Sequence, residues 1–170
     1  MALVAGVLAA MVGPRLAGSR EHRRLVDAGR LLTGLARQAR ARAASEGRTH
    51  LVVVDGLEGT ARLARARDPL APPSDPEQPE LELLEEETGW ARPQPLGDGV
   101  GLVEAWLDDE AQDPLAPVAV AFDRHGEATS ARLVLATAGG DDRLAFVVLP
   151  VTGLTTLFDP DREDLGEEAP

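Results

Sequence analysis

The first 47 residues of the chain have the pattern of one long helix, and they limit the possible folds more than any other stretch. Behind Pro14 the apolar residues recur at steps of three and four, as they do along one face of an α-helix. Gly47 stands where a left-handed C-terminal cap favours a glycine. Such a helix would be about 65 Å long, so we expect it to protrude from a small domain. Its apolar stripe consists of Leu25, Ala28, Leu32, Leu35, Ala39 and Ala43.

The front of this helix, residues 2–12, is an uncharged apolar run. It is shorter than the ~20 residues that a helix needs to cross the bilayer core. A secretory signal peptide is an alternative, because small residues around Gly18 offer a cleavage site, but the positively charged region that should precede the apolar run is missing. We expect residues 2–12 to be a helix tip that is embedded in a membrane.

Charge is divided unevenly along the chain, whose net charge is −12. Residues 1–67 hold 12 arginines and 5 acidic residues, whereas residues 68–170 hold 5 arginines and 24 acidic residues. Arg23, Arg30 and Arg37 repeat every seven residues on a second helix face, which is either solvated or able to dock on acidic neighbours. A basic stem under an acidic head favours stem-to-head association and argues against binding to nucleic acid, whose phosphates require a basic surface.

The rest of the chain has the sequence pattern of strands and turns. Residues 49–55 and 60–67 are rich in β-branched or alternating residues and predict a hairpin, and residues 100–107 predict a further strand. Residues 81–87 are compatible with a short helix or an edge strand. A four-stranded antiparallel meander is predicted after that, because glycine-bearing turns separate the alternating stretches. Its strands are residues 117–122, 131–136, 143–149 and 154–158.

These patterns predict an α+β fold, in which a long N-terminal helix packs on a C-terminal antiparallel β-sheet head. We divide the chain into a helix with apolar tip and amphipathic stem (1–47), a β-rich head (48–160) and an acidic tail (161–170). Residues 68–80 carry five prolines and are expected to form a loop within the head.

No combination of residues indicates catalysis, a metal site or a cofactor. The chain has no cysteine, which excludes disulfides and thiolate ligands, and its three histidines, His22, His50 and His125, have no paired spacing. Carboxylates at 159–164 lack the order of a calcium loop, so we interpret them as a plain acidic tail. No serine stands in a nucleophile elbow. We expect that the protein is not an enzyme.

Several motifs, taken in order along nearly the whole chain, resemble the type IV pilin-like minor pseudopilins, in particular the type II secretion pseudopilin H and FimT-like group. Residues 31–54 are similar to the group's junction of an Ala- and Arg-rich helix end, a glycine and a Val-rich strand. VAFDRHG at 120–126 resembles its F-x-x-x-G hairpin, and LPVTGL at 149–154 resembles its closing Pro-x-Thr-Gly turn.

The resemblance implies a structural subunit of a type II secretion or type IV pilus-like fibre. Such a subunit is anchored in the bacterial inner membrane by its N-terminal helix, holds its head in the periplasm, and assembles with other pseudopilins or pilins and with secreted cargo. In that family a peptidase site, where the new N-terminus is methylated, precedes the apolar stretch; no residue of this chain is assigned to it. The alternative is a soluble periplasmic or surface binding module with a degraded signal peptide.

Two groups of residues are candidate sites under this hypothesis. Leu25, Leu32 and Leu35 of the apolar stripe are expected to pack stems together in a fibre. The turn residues Gly126, Thr152 and Gly153 are expected to shape the head. DNA-uptake members of the group place arginines directly after the closing Thr-Gly, whereas Leu154 follows here, so the expectation that the protein does not bind DNA is strengthened.

Overall fold

A single long helix precedes all of the strands. The computed structural model describes residues 2–66, 81–83, 89, 91–140 and 142–161, with side chains from Arg20 onward except those of 81–83. Helix α1 spans Ala2–Glu46. It ends at Gly47, whose φ of 66° and whose N–H bond to the Ala43 carbonyl, 3.0 Å long, form the expected left-handed cap. The predicted helix and its C-terminal end are confirmed.

The first sheet is built around the strand that follows the helix. Its strands are β1 (His50–Asp55), β2 (Thr60–Ala66), β3 (Leu81–Leu83), β4 (Gln94–Pro95) and β7 (Pro117–Phe122), in the order β3-β2-β1-β7, with β4 also paired to β2. Strands β1 and β2 form the predicted hairpin, in register from His50 opposite Arg65 to Asp55 opposite Thr60. The ambiguous stretch at 81–87 contributes the strand β3.

The second sheet is also antiparallel. It contains β5 (Val100–Leu107), β6 (Glu110–Gln112), β8 (Ala131–Thr137), β9 (Arg143–Val148) and β10 (Thr155–Phe158), in the order β10-β9-β8-β5-β6. Asp108 and Asp109, both with positive φ, turn the chain from β5 into β6.

The predicted four-stranded meander is wrong at its first strand. Strand β7 pairs along its whole length with β1, and β8 lies between β9 and β5. Beyond Phe122 the chain turns at Asp123 and makes a single bridge from Phe122 to Ala128 before it crosses to the other sheet. Alternating apolar residues determine which face of a strand is buried, but they do not determine its partner. The predicted Pro-rich loop at 68–80 and tail residues 162–170 lie outside the described residues.

The main core lies between the helix and the inner faces of the two sheets. Strands of both sheets contact α1, and buried side chains such as Leu63, Phe122 and Phe146 face its apolar stripe. A smaller cluster of Leu51, Val53 and Ala64 lies on the opposite face of the first sheet. The predicted α+β fold, with the helix packed on antiparallel strands, is therefore confirmed, with two sheets in the head.

Candidate functional site on the helix and the head turns

The leucines predicted to pack stems together lie inside this chain's own core. Leu25, Leu32 and Leu35 are at most 1% exposed, and they belong to the cluster that joins the helix to both sheets. Full burial of a leucine side chain stabilises a fold by about 1.5–3 kcal/mol, so this stripe is what fixes the helix to the head. The packing of these three residues is intramolecular in this structure. A contact with another subunit would have to use other residues of the helix.

Gly29 brings the helix close to the second sheet, a role that was not predicted from the sequence. A Cβ atom at this position would lie 2.8 Å from Leu144 Cδ2 and 3.0 Å from both methyl carbons of Leu157. A glycine within an apolar helical stripe was the available signal, because glycine inside a helix costs about 1 kcal/mol relative to alanine and is retained where packing requires it.

The opposite face of the helix carries the arginine row. Arg23, Arg30 and Arg37 are exposed, as their seven-residue spacing suggested. Arg30 forms an ion pair of 3.2 Å with Asp27, and both side chains are about 70% exposed. Such a pair contributes little stability, about 0–1 kcal/mol. The row is thus accessible for an acidic partner.

The two head turns that carry the family motifs meet each other next to the helix. Gly126 and Gly153 are buried and have positive φ values of 86° and 59°. A Cβ atom on Gly153 would lie 2.6 Å from the carbonyl oxygen of Gly126, and a Cβ atom on Gly126 would lie 3.2 Å from Arg40 Nε. A backbone hydrogen bond of 2.8 Å from Ala128 N–H to the Pro150 carbonyl joins the turns. Residues predicted from two separate motifs are therefore brought together, with Arg40 of the helix as a third member that the sequence did not indicate.

Thr152 has a more local role in the closing turn. It is exposed, and its hydroxyl accepts a hydrogen bond of 3.3 Å from Leu154 N–H. Leu149, Val151 and Leu154 around it are also exposed, at 47%, 78% and 53%. The surface of this turn is therefore apolar. The DNA-uptake members of the group that the motifs resemble have arginines at this turn instead.

At the helix end, His50 is a buried polar residue whose burial was not predicted from the sequence. It is fully buried, its Nε2 lies 3.0 Å from Glu46 Oε2, and its Nδ1 has no hydrogen-bond partner among the described residues. The preceding Gly47 turn places β1 directly behind the helix, which brings the imidazole under the last helical turn. The place of His50 as the first residue of a strand that continues with four apolar residues was the available signal.

The described residues contain neither a metal-binding cluster nor a membrane-spanning helix. No three His, Cys, Asp or Glu side chains among them are placed to hold a metal ion. Within the same residues, no helix has both the length and the apolar character required to cross a membrane.

Comparison with known proteins gives structural matches only. No protein-family model matches the sequence, and no curated protein matches it. The solution structure of GspH from Escherichia coli is similar at 16% identity and a TM-score of 0.57, over 81% of this chain and 89% of that chain. EpsH, described as a minor pseudopilin of the type 2 secretion system of Vibrio cholerae, is similar at 14% identity and a TM-score of 0.55, over 81% of this chain and 98% of that chain.

At these identities the two similar structures establish the fold alone. The expectation drawn from the motifs at 31–54, 120–126 and 149–154 is confirmed at that level. This chain has the fold of the type II secretion pseudopilins.

Proposed function

We propose that the protein is a non-enzymatic minor pseudopilin, a structural subunit that assembles with other pseudopilins in a type II secretion or type IV pilus-like fibre. The observation that carries the proposal is the fold, in which a long N-terminal helix packs on two antiparallel sheets. The first core residue among the described side chains is Leu25. The helical segment from Ala2 to Leu25 is about 35 Å long.

That leading half of the helix is the segment we assign to anchoring and assembly. Its apolar tip at residues 2–12 would insert into the inner membrane and then into the fibre, and the head would face the periplasm, where secreted cargo and other subunits are met. The buried stripe from Leu25 onward is already used by the head. Contacts with neighbouring stems are therefore assigned to the apolar tip and to the exposed row of Arg23, Arg30 and Arg37.

Isolation of the protein from its native membranes tests the proposal. A tag on the head is used to purify it from detergent extracts, and the recovered material is analysed for pseudopilins and by N-terminal sequencing. We expect co-purification of at least one pseudopilin and retention of residues 2–12. Cleavage after Gly18 together with recovery in the soluble periplasmic fraction would instead support a soluble binding module and contradict the proposal.

A further inference from the structure

The outer face of the second sheet, which points away from the helix, presents a row of side chains across all five strands. Direct cross-strand pairing places Ala111 opposite Trp106, Trp106 opposite Arg132, Arg132 opposite Val147, and Val147 opposite Thr156. Cross-strand neighbours on one face lie about 4.5–5.5 Å apart, close enough to act as one surface. A tryptophan and an arginine therefore stand side by side in the middle of an open sheet face.

A groove of about 570 Å³ follows this row. Trp106 is 41% exposed although it is one of the largest apolar side chains of the head. The guanidinium carbon of Arg132 lies 5.9 Å from the centre of the Phe158 ring, which is a cation–π contact. Trp106 stands directly opposite Arg132 on the neighbouring strand. The groove is lined by Trp106, Asp109, Ser130, Ala131, Arg132, Val147 and Phe158.

Arg132 differs from its neighbouring cation in its ion pairs within the described part of the chain. On the same face, Arg143 is paired with Glu104 and lies 3.8 Å from Asp161. No carboxylate among the described residues lies within 4.0 Å of the Arg132 guanidinium. The exposed guanidinium of Arg132, placed over the Phe158 ring, is a planar, two-pronged donor whose geometry matches that of a carboxylate.

We propose that this groove binds a segment of a partner protein in which a carboxylate stands next to an aromatic or large aliphatic side chain. The carboxylate would pair with Arg132, and its apolar neighbour would lie against Trp106, Val147 and Phe158. The volume is within the range of sites that enclose small ligands, and Trp and Arg are the residues that most often dominate binding energy at protein interfaces. The proposal goes beyond the pseudopilin role and does not depend on it, because it concerns only the surface of the head.

Peptide titration followed by tryptophan fluorescence tests this assignment. The protein has two tryptophans, so the Trp90→Phe variant leaves Trp106 as the only one. The probes are acetyl-Ala-Asp-Phe-Ala-Ala-amide and the same peptide with Asn or Lys in place of Asp. We expect saturable binding of the Asp peptide, binding of the Asn peptide weaker by about tenfold, and no measurable binding of the Lys peptide.

Variants locate the site. Arg132→Gln should weaken binding of the Asp peptide by about tenfold and remove the preference for Asp over Asn, and Arg132→Lys should restore part of the affinity. Arg62→Gln, which removes one positive charge from the other sheet, is the matched control and should leave binding unchanged. Circular dichroism verifies that each variant is folded.

Two results would overturn the proposal. One is equal binding of the Asp and Asn peptides, which needs only the Trp90→Phe protein and stands even if an Arg132 variant fails to fold. The other is an equal loss of affinity in Arg132→Gln and Arg62→Gln, which would show that the peptide responds to net charge rather than to the groove.

Discussion

At the scale of single residues, the two glycines of the head turns combine a positive φ with a close neighbour at the Cβ position. Gly153 combines a positive φ with a backbone neighbour, the Gly126 carbonyl, that has no flexible side chain to move aside. Gly47 also has a positive φ, but none of the described atoms lies within 4 Å of the Cβ position. A comparison of Gly153 with Gly47 therefore separates the cost of the backbone conformation from the cost of a steric clash.

We expect Gly153→Ala to lower the free energy of unfolding by about 2–4 kcal/mol, because the clash with Gly126 adds to the cost of the left-handed conformation. Gly47→Ala should cost only about 1 kcal/mol. Urea denaturation of both variants measures the difference. Equal losses would contradict the close approach of the two turns.

His50 gives a second prediction at this scale. Its Nδ1 is buried and has no hydrogen-bond partner in the described part of the chain, whereas Glu46, which contacts Nε2, is partly exposed and can be hydrated if the imidazole is removed. His50→Leu should therefore change the free energy of unfolding by less than about 1.5 kcal/mol, because an apolar group of similar size leaves no buried polar atom unsatisfied. His50→Ala, which leaves a cavity, should cost about 2–3 kcal/mol. If His50→Leu is the more damaging variant in denaturation experiments, the imidazole has a bonding role that this structure does not contain.

At the scale of secondary-structure elements, the two faces of the helix have different environments from Arg20 onward. Leu32 and its neighbours in the stripe are fully buried in the head, and the arginine row faces outward. Leu32→Ala should lower the free energy of unfolding of the full chain by about 2–5 kcal/mol, since it leaves a cavity in the main core. Leu57→Ala, at a side chain that is 78% exposed, should change it by less than about 0.5 kcal/mol. A small effect of Leu32→Ala would mean that the helix is only loosely attached to the head.

The individual elements could be predicted from the sequence more completely than their arrangement. The three- and four-residue spacing from Leu25 to Ala43 and the cap at Gly47 are local signals, and the hairpin of β1 and β2 follows from a short glycine-containing loop. The partner of β7 could not be predicted, because β1 lies more than 60 residues earlier, and an alternating pattern fits any neighbour that buries the same face. The row of Trp106, Arg132 and Val147 was not predicted for the same reason, since it exists only when β5, β8 and β9 pair in register.

An engineered disulfide tests the pairing of β7. The Ala121 carbonyl accepts a backbone hydrogen bond from Thr129, on the side away from β1. Hydrogen-bonded and non-hydrogen-bonded pairs alternate along an antiparallel ladder, so Ala119, two residues earlier, also belongs to a pair without hydrogen bonds to β1. Such pairs bring Cα atoms within disulfide range. Val53→Cys with Ala119→Cys, which lie directly opposite each other, should form a disulfide on mild oxidation.

The control for that experiment is Ala119→Cys with Val134→Cys. The meander predicted from the sequence would bring these two residues together, whereas the observed topology places them in different sheets. Because the natural chain has no cysteine, mass spectrometry of non-reduced protein reads out each bond directly. Oxidation of the control pair alone would contradict the assignment of β7 to the first sheet.

At the scale of the whole molecule, the basic helix and the acidic remainder suit association of one subunit's stem with another subunit's head. The split between 12 arginines in residues 1–67 and 24 acidic residues in residues 68–170 was visible in the sequence, and the structure leaves Arg23, Arg30 and Arg37 exposed on the helix. Complementary charge of this kind orients subunits as they approach and weakens with added salt. The apolar stripe between these arginines and the sheets is closed to neighbours by the head itself.

Site-specific photocrosslinking in native membranes is the most direct test of the proposal that this protein is a fibre subunit. In a chain without cysteine, Arg30→Cys provides one thiol on the exposed face, and Leu32→Cys provides one in the buried stripe of the same helix. After labelling with a benzophenone maleimide and irradiation, we expect Arg30→Cys to yield adducts with another pseudopilin and Leu32→Cys to yield none. Absence of any pseudopilin adduct from Arg30→Cys, in membranes that contain normal amounts of the labelled protein, would contradict the proposal.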